Sequence, residues 1–281
     1  MEKRPLGGTG EFLSVVGFGG LVAAREDPDD VARWVARAVE RGVTYFDVAP
    51  EYGNAEELLG PALERFRDEI FLSCKTLERA REGAKAELER SLERLHTDHF
   101  DLYQLHGITT TDEVERVCAP GGALEALAEA KQRGLTRYLG FSAHDEEAAL
   151  TLMDRFDFDA VMFPLNWVCW HRSGFGRKVL AAAREKNMGV IALKALARTV
   201  RPGGKRGRWP KCWYEPVGSP EEAALGLRFT LSLPVTVAVS PSHAELLWWM
   251  CDVADELVPL SDAESAELAR RARSVQPIFP K

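Results

Sequence analysis

One unit recurs eight times along the chain: a short apolar run, then an amphipathic segment with helical spacing. The apolar runs are Val15–Phe18, Thr44–Ala49, Ile70–Lys75, Leu102–His106, Arg137–Ser142, Ala160–Asn166, Gly189–Ala195 and Val235–Ser240. The segments that follow them are Pro28–Arg41, Ala55–Phe66, Glu78–Leu95, Gly122–Arg133, Asp145–Phe156, Gly176–Lys186, Pro220–Leu231 and His243–Leu257. In the first of these, Val31, Trp34, Val35, Ala38 and Val39 fall on one helical face. Basic residues and helix-stop residues close others, as in Gln132-Arg133-Gly134 and Lys186-Asn187-Met188-Gly189. Eight strand–helix units predict an α/β chain folded as a (β/α)8 barrel rather than an open doubly wound sheet. The 281 residues suit a single barrel domain spanning the chain, since such barrels run to about 250 residues. Ahead of the repeats, Arg4–Val15 with Gly7-Gly8-Thr9-Gly10 predicts an amino-terminal β-hairpin. A further helix, Asp262–Ser274, and a tail ending Pro277-Ile278-Phe279-Pro280 follow the eighth unit.

Composition narrows the function. The net charge of −7 arises from interspersed charges and argues against general nucleic-acid affinity. No apolar run approaches the roughly 20 residues that span a bilayer. The terminus MEKRPLGGTG lacks a signal-peptide core, so the expected location is cytoplasmic. The five cysteines, Cys74, Cys118, Cys169, Cys212 and Cys251, include no C-x2-C pair and predict reduced thiols without a metal cluster. His96-x2-His99 lacks a nearby third ligand and reads as a helix-end pair. Cys169-Trp170-His171 falls in an expected irregular loop, where nothing makes the thiol face the imidazole. Trp167 and Trp170 there suit a pocket wall, and Trp248 and Trp249 suit a core or interface.

Four polar residues stand where a parallel barrel collects its chemistry. Asp47 lies in the second run and Tyr52 just beyond it; Lys75 and His106 end the third and fourth. Catalytic groups of barrel enzymes come from the carboxyl ends of several strands. A carboxylate, a phenol, an amine and an imidazole in one cleft form a proton-transfer set. These residues and their surroundings, Phe46-Asp-Val-Ala-Pro-Glu-Tyr-Gly53, the Lys75 strand end, Leu105-His106 and Gly140-Phe-Ser142, resemble the aldo-keto reductases. The resemblance extends from Arg4–Gly10 to Pro234–Ser240.

That resemblance implies reduction of an aldehyde or ketone to an alcohol, with hydride from NADPH and a proton from Tyr52. NADH is a competing cofactor, and the partner is a small-molecule carbonyl substrate; oligomeric state is not legible. A free phenol titrates near pH 10. Lys75 beside Tyr52 is expected to lower that value, Asp47 to keep Lys75 charged, and His106 to orient the carbonyl oxygen. The family also uses an amino-terminal hairpin to plug the barrel floor. Gly17-x-Gly19-Gly20 has neither the third glycine nor the context of a Rossmann turn. By resemblance the Gly19-Gly20-Leu21 backbone and Asp47 flank the nicotinamide ribose, and Ser142 meets the carboxamide. The chain departs from the family at Ala143 (commonly Asn), Met162 (commonly Gln) and Leu193 (commonly aromatic). His144 and Asn166 are candidates to replace the lost amide contacts, and Lys194 makes the approach to the cofactor charged rather than apolar. After the eighth run, Ser240 and Ser242 supply hydroxyls, but no Arg or Lys accompanies them for a 2′-phosphate.

One segment breaks the repeat. Leu196–Ser219 exceeds the 2–6 residues usual for such loops. It holds Arg198, Arg201, Lys205, Arg206, Arg208 and Lys211 together with Trp209, Trp213 and Tyr214. It reads either as solvated surface or as a lid whose cations meet the cofactor's phosphates. Two other functions fit parts of the pattern: a weakly catalytic dinucleotide sensor or scaffold, and an isomerase or lyase using Lys75 as a Schiff base.

Overall fold

A computed structural model describes residues 1–201, 203 and 207–280. Eight parallel strands close a barrel in sequence order: Val16–Gly19, Tyr45–Asp47, Phe71–Thr76, Phe100–Ile108, Thr136–Ala143, Ala160–Pro164, Gly189–Leu193 and Val237–Val239. They are called strands one to eight below. The expected fold is therefore present, with strands one to eight on the eight apolar runs. The expected hairpin is there too, with Lys3–Pro5 antiparallel to Phe12–Ser14.

Strand alternation explains why the site lies where it does. Side chains two apart on a strand share a face, and a small barrel fills its interior with that face. Tyr45, Phe71, Leu102, Ala160, Met162, Ile191, Val237 and Val239 form the interior cluster, which Leu6 and Leu13 of the hairpin complete from below. Continuing each strand by steps of two reaches Asp47, then Ser73 and Lys75, then Gln104 and His106. The apolar layers thus fill the floor, and the polar residues occupy the top of the same face. Register aligns them, with Asp47 opposite Ser73 and Lys75 opposite Gln104. Strand one must approach closely at this level. A Cβ on Gly19 would lie 2.4 Å from Ser240 O, and one on Gly20 would lie 2.6 Å from Asp47 O.

Three local features differ from expectation. Strand six ends at Pro164, and Asn166 instead caps a helix, Trp167–Arg172, through Oδ1 and the Cys169 N–H at 3.0 Å. Cys169 and His171 therefore ride on a helix rather than an irregular loop. A helix at Thr111–Cys118 precedes the predicted helix after strand four, which itself starts at Ala123. Within the long loop, Ala197–Val200 pairs antiparallel with Tyr214–Pro216, so its base is a hairpin. Among the described residues, no helix is long and apolar enough to cross a membrane.

The loop also crosses the barrel mouth. Lys211 Nζ donates to Val22 O at 2.9 Å and Ala24 O at 3.3 Å, and pairs with Glu26 at 2.8 Å. One ammonium thus ties the segment after strand seven to the segment after strand one. Replacing Lys211 with Met removes a partly buried charge-assisted set. Amides of 207–216 should then exchange about tenfold faster in hydrogen-exchange mass spectrometry. Unchanged protection would show that the hairpin alone holds the loop.

Candidate active site

The four proton-transfer candidates meet at the carboxyl ends of strands two to four. Lys75 is fully buried, and its Nζ contacts Asp47 Oδ2 at 2.5 Å, Val48 O at 3.2 Å and the Tyr52 hydroxyl at 3.3 Å. The Tyr45 hydroxyl donates to the second Asp47 oxygen at 3.3 Å. Tyr52 and His106 meet edge to face, ring centroids 5.8 Å apart. Asp47, Tyr52 and His106 line a cavity of about 300 Å³, while Lys75 lies beneath it.

Burial and charge oppose each other at Asp47, Lys75 and Tyr52 and act together at His106. Burial raises Asp47 above the usual carboxylate value, outweighing the Lys75 ammonium, which lowers it. Lys75 itself is raised despite burial, because Asp47 and Tyr52 favour its charged form. Tyr52 is pushed up to about 12 by burial, against the lowering effect of Lys75. The expected action of Lys75 is thus present, but burial exceeds it and the net shift is upward. His106 is held well below 6.5 by burial and the neighbouring cations, so its imidazole is neutral. The Schiff-base alternative loses its footing, since a fully buried, paired Lys75 with a raised pKa is not a free amine nucleophile.

Sequence reasoning missed Glu51. It lines the cavity, its Oε1 lies against His106 Nδ1, and burial raises its carboxyl above the ordinary value. Its place between Pro50 and the candidate acid Tyr52 was the available signal. The carboxyl also governs the imidazole tautomer. A carboxylate there draws the proton to Nδ1, whereas a protonated carboxyl leaves it on Nε2.

Gly20, Leu21, His144, Leu193, Lys194, Ser240 and Ser242 line the same cavity. Ser240 Oγ accepts the Gly19 N–H at 3.0 Å, and Ser242 Oγ lies 3.1 Å from Cys212 Sγ. Ser142 and Asn166 lie behind the wall, each 1% exposed. Ser142 Oγ accepts the Gly107 N–H at 2.8 Å, and Asn166 Nδ2 has no partner among the described residues. Met162 and Leu193, two departures from the family pattern, put apolar surface on the wall, and Ala143 is buried at the end of strand five. Cys212, Trp213 and Tyr214 of the long loop complete the wall, a contribution that depends on the loop's path.

The loop's cations are largely spoken for. Arg208 pairs with Glu245 at 2.5 Å and stacks over Trp209, 4.5 Å from its centroid. Arg201 bonds Trp209 O at 2.5 Å, and Lys211 holds Glu26. Lys205 and Arg206 lie outside the described residues. Arg198 lines a separate cavity with Trp167 and Leu268.

Known proteins agree with this architecture. The model of the aldo/keto reductase family matches residues 15–216. Aldo-keto reductase YhdN of Bacillus subtilis is 30% identical over 226 residues, 72% of this chain and 64% of that protein. L-galactose dehydrogenase of Arabidopsis thaliana is 28% identical over 216 residues, 70% of this chain and 66% of that protein. The chain spans about half to two thirds of the length of the curated relatives it matches. Among solved structures, the holo form of aldo-keto reductase AKR11C1 from Bacillus halodurans superposes with a TM-score of 0.77 at 24% identity. That superposition covers 99% of this chain and 98% of the other.

Proposed function

The chain belongs to the aldo/keto reductase family, and from that premise we propose that it reduces an aldehyde or ketone to an alcohol, taking the proton from Tyr52. The observation that carries this reading is the buried Lys75 ammonium touching both Asp47 at 2.5 Å and the Tyr52 hydroxyl at 3.3 Å beside an open cavity. A reduced nicotinamide, when bound, supplies the hydride.

The groove fits such a cofactor. Close-packed Gly19 and Gly20 on one side and the Ser240 and Ser242 hydroxyls on the other offer backbone and hydroxyl contacts to a sugar-phosphate chain. The helix Ala244–Asp255 begins beside them without a side-chain cap, so its first N–H groups suit an anion. Gly20, Leu21, Asp47, Leu193, Ser240 and Ser242 are therefore proposed to hold it, with His144, Ser142 and Asn166 on the nicotinamide side. NADPH is the proposed form, although Arg208 and Lys211, two of the cations expected to favour it, are engaged with Glu245 and Glu26.

The geometry supports the following roles for the chain's own residues. As negative charge develops on the carbonyl oxygen, Tyr52 passes its proton there, and Lys75 offsets the phenolate left behind. Asp47 keeps the ammonium in place. His106, neutral, orients the oxygen by donating a hydrogen bond, which requires its proton on Nε2 and hence a protonated Glu51.

The phenol value of about 12 sets a pH signature. Reduction draws on the protonated phenol, which is present at every pH below about 12, so Tyr52 should cause no fall in the reduction rate between about pH 6 and 10. Alcohol oxidation needs the phenolate, so its rate should rise about tenfold per pH unit over the same range. Steady-state profiles in both directions test this, with Glu51→Gln alongside wild type to remove the Glu51 titration, and a reduction rate that declines from pH 7 to 9 in both would overturn it.

The overall reading is tested by following 340-nm absorbance of NADPH and of NADH with a panel of aldehydes. Oxidation with at least one carbonyl supports it. Tight dinucleotide binding with no oxidation by any carbonyl would instead support a sensor or scaffold.

A further inference from the structure

Among the described residues, four non-glycine residues adopt left-handed backbone: Arg25, His96, Asn187 and Lys194, with φ of 61°, 51°, 53° and 61°. The first three are exposed, whereas Lys194 sits in the barrel mouth directly after strand seven and lines the cavity. A long side chain rarely takes this conformation, and where it does, the surrounding structure holds it there. Here the backbone turn sends the side chain sideways. Nζ reaches His144 Nε2 at 2.8 Å. His144 follows strand five, and strands five, six and seven are neighbours, so the lysine spans the end of strand six.

The ammonium has an unusual setting. It lies 5.8 Å from the Trp213 centroid and 5.6 Å from that of Phe279. The His144 ring stacks on Phe279 at 5.4 Å. Lys75 has Asp47, Lys211 has Glu26, and Glu51 is turned to His106. Among the described residues the polar partner of Lys194 is the His144 ring, with no carboxylate. A cation in an aromatic enclosure without a counter-ion awaits an anion from outside.

We propose that Lys194, braced by His144, seats the carboxylate of an oxo-acid substrate whose carbonyl oxygen lies at Tyr52 and His106. This rests on the reductase reading above. The direction of the side chain separates the proposal from a contact with the dinucleotide's phosphates. The glycines and serines that suit those phosphates lie at and just beyond the ends of strands one and eight, on one side of strand seven. Lys194 reaches the other way, over strand six toward strand five. Its electrostatics agree: burial brings its own pKa down to about 7, and that of His144 to about 3. A neutral His144 accepts from the ammonium without competing with an incoming carboxylate, and an anion placed there restores the charged lysine.

The test compares matched pairs, 4-oxobutanoate with butanal and glyoxylate with acetaldehyde, in wild type and in Lys194→Asn. Asparagine tolerates left-handed backbone, so the charge is removed with little backbone strain. In wild type kcat/KM should favour the acid by about tenfold or more, the scale of one charge-assisted contact. In Lys194→Asn the ratio should fall to about one. A ratio within one variant cancels damage common to both substrates. Dinucleotide Kd, measured by fluorescence quenching, should change less than about threefold, well short of a lost ionic contact. A ratio unaffected by the substitution, or a weakened dinucleotide Kd with the ratio intact, overturns the proposal while leaving the reductase reading standing. A wild-type enzyme that favours the neutral aldehyde overturns it equally. Wild type that reduces other carbonyls of the panel but neither acid overturns it as well, and wild type that oxidises neither NADPH nor NADH with any carbonyl brings down the reductase reading, and this proposal with it.

Discussion

Tyr52→Phe should lower carbonyl-reduction turnover by about 10²-fold or more, the usual scale for losing a general acid, with dinucleotide affinity nearly unchanged. The expectation comes from the position of one oxygen. The Tyr52 hydroxyl is 3.3 Å from the Lys75 ammonium and faces the cavity, while the ring packs edge to face on His106. Phenylalanine keeps that packing and removes only the proton and its oxygen. The loss should therefore appear in kcat, with Kd for the dinucleotide and thermal stability close to wild type. Single-turnover measurement at saturating cofactor makes the comparison. Wild-type turnover in Tyr52→Phe would remove Tyr52 from the mechanism, and His106 would become the proton donor to examine.

Lys75→Met should cost both rate and stability. The ammonium and Asp47 are 0% and 2% exposed, so removing one partner strands a buried carboxylate. Breaking such a pair typically costs about 3–5 kcal/mol. The phenol also loses the only effect that opposes burial strongly, so phenolate becomes harder to form and turnover should fall by about 10²-fold, comparable with Tyr52→Phe. The pH dependence has a definite sign. Asp47 is raised in the folded state even with Lys75 present, and without it would be raised further. A carboxyl raised in the folded state favours folding while both states are protonated, and that advantage is lost as pH rises from its unfolded to its folded value. The Tm deficit of Lys75→Met relative to wild type should accordingly be larger at about pH 7 than at about pH 4. Equal deficits at both pH values would mean that Asp47 does not become an unpaired charge.

Much of the site was legible because its residues sit on regular elements. Asp47, Lys75 and His106 occupy the inward face of strands two, three and four, one or two steps above Tyr45, Phe71 and Leu102. Period-two alternation puts them there whatever the loops do. The loop residues behaved differently. Glu51 carries no such periodic signal, because it sits in the turn after strand two and its contact with His106 depends on how that turn folds over strand four. Apolar patterning carries the sixth strand to Asn166, yet Asn166 caps a helix, because a short polar side chain after Pro164 serves either role until the next turn is placed. The composition of the basic loop suits either solvated surface or a phosphate lid, yet Arg208 and Lys211 pair with Glu245 and Glu26. Long cationic side chains reach several partners, and spacing along the chain does not choose among them.

By itself the sequence determined the eightfold strand–helix order, the hairpin before it, and the set of polar groups carried to one end of the barrel. Those follow from periodicity, which is local and repeats. Only the tertiary structure decided the balance of forces at that end. Whether the Tyr52 phenol moves down toward Lys75 or up with burial depends on how completely the barrel excludes water around it, and burial wins. Whether Lys194 points along the cofactor groove or across strand six depends on a backbone turn at φ 61° and on the distant Phe279 and His144. Both are consequences of packing between residues far apart in the chain, where no local pattern carries the information.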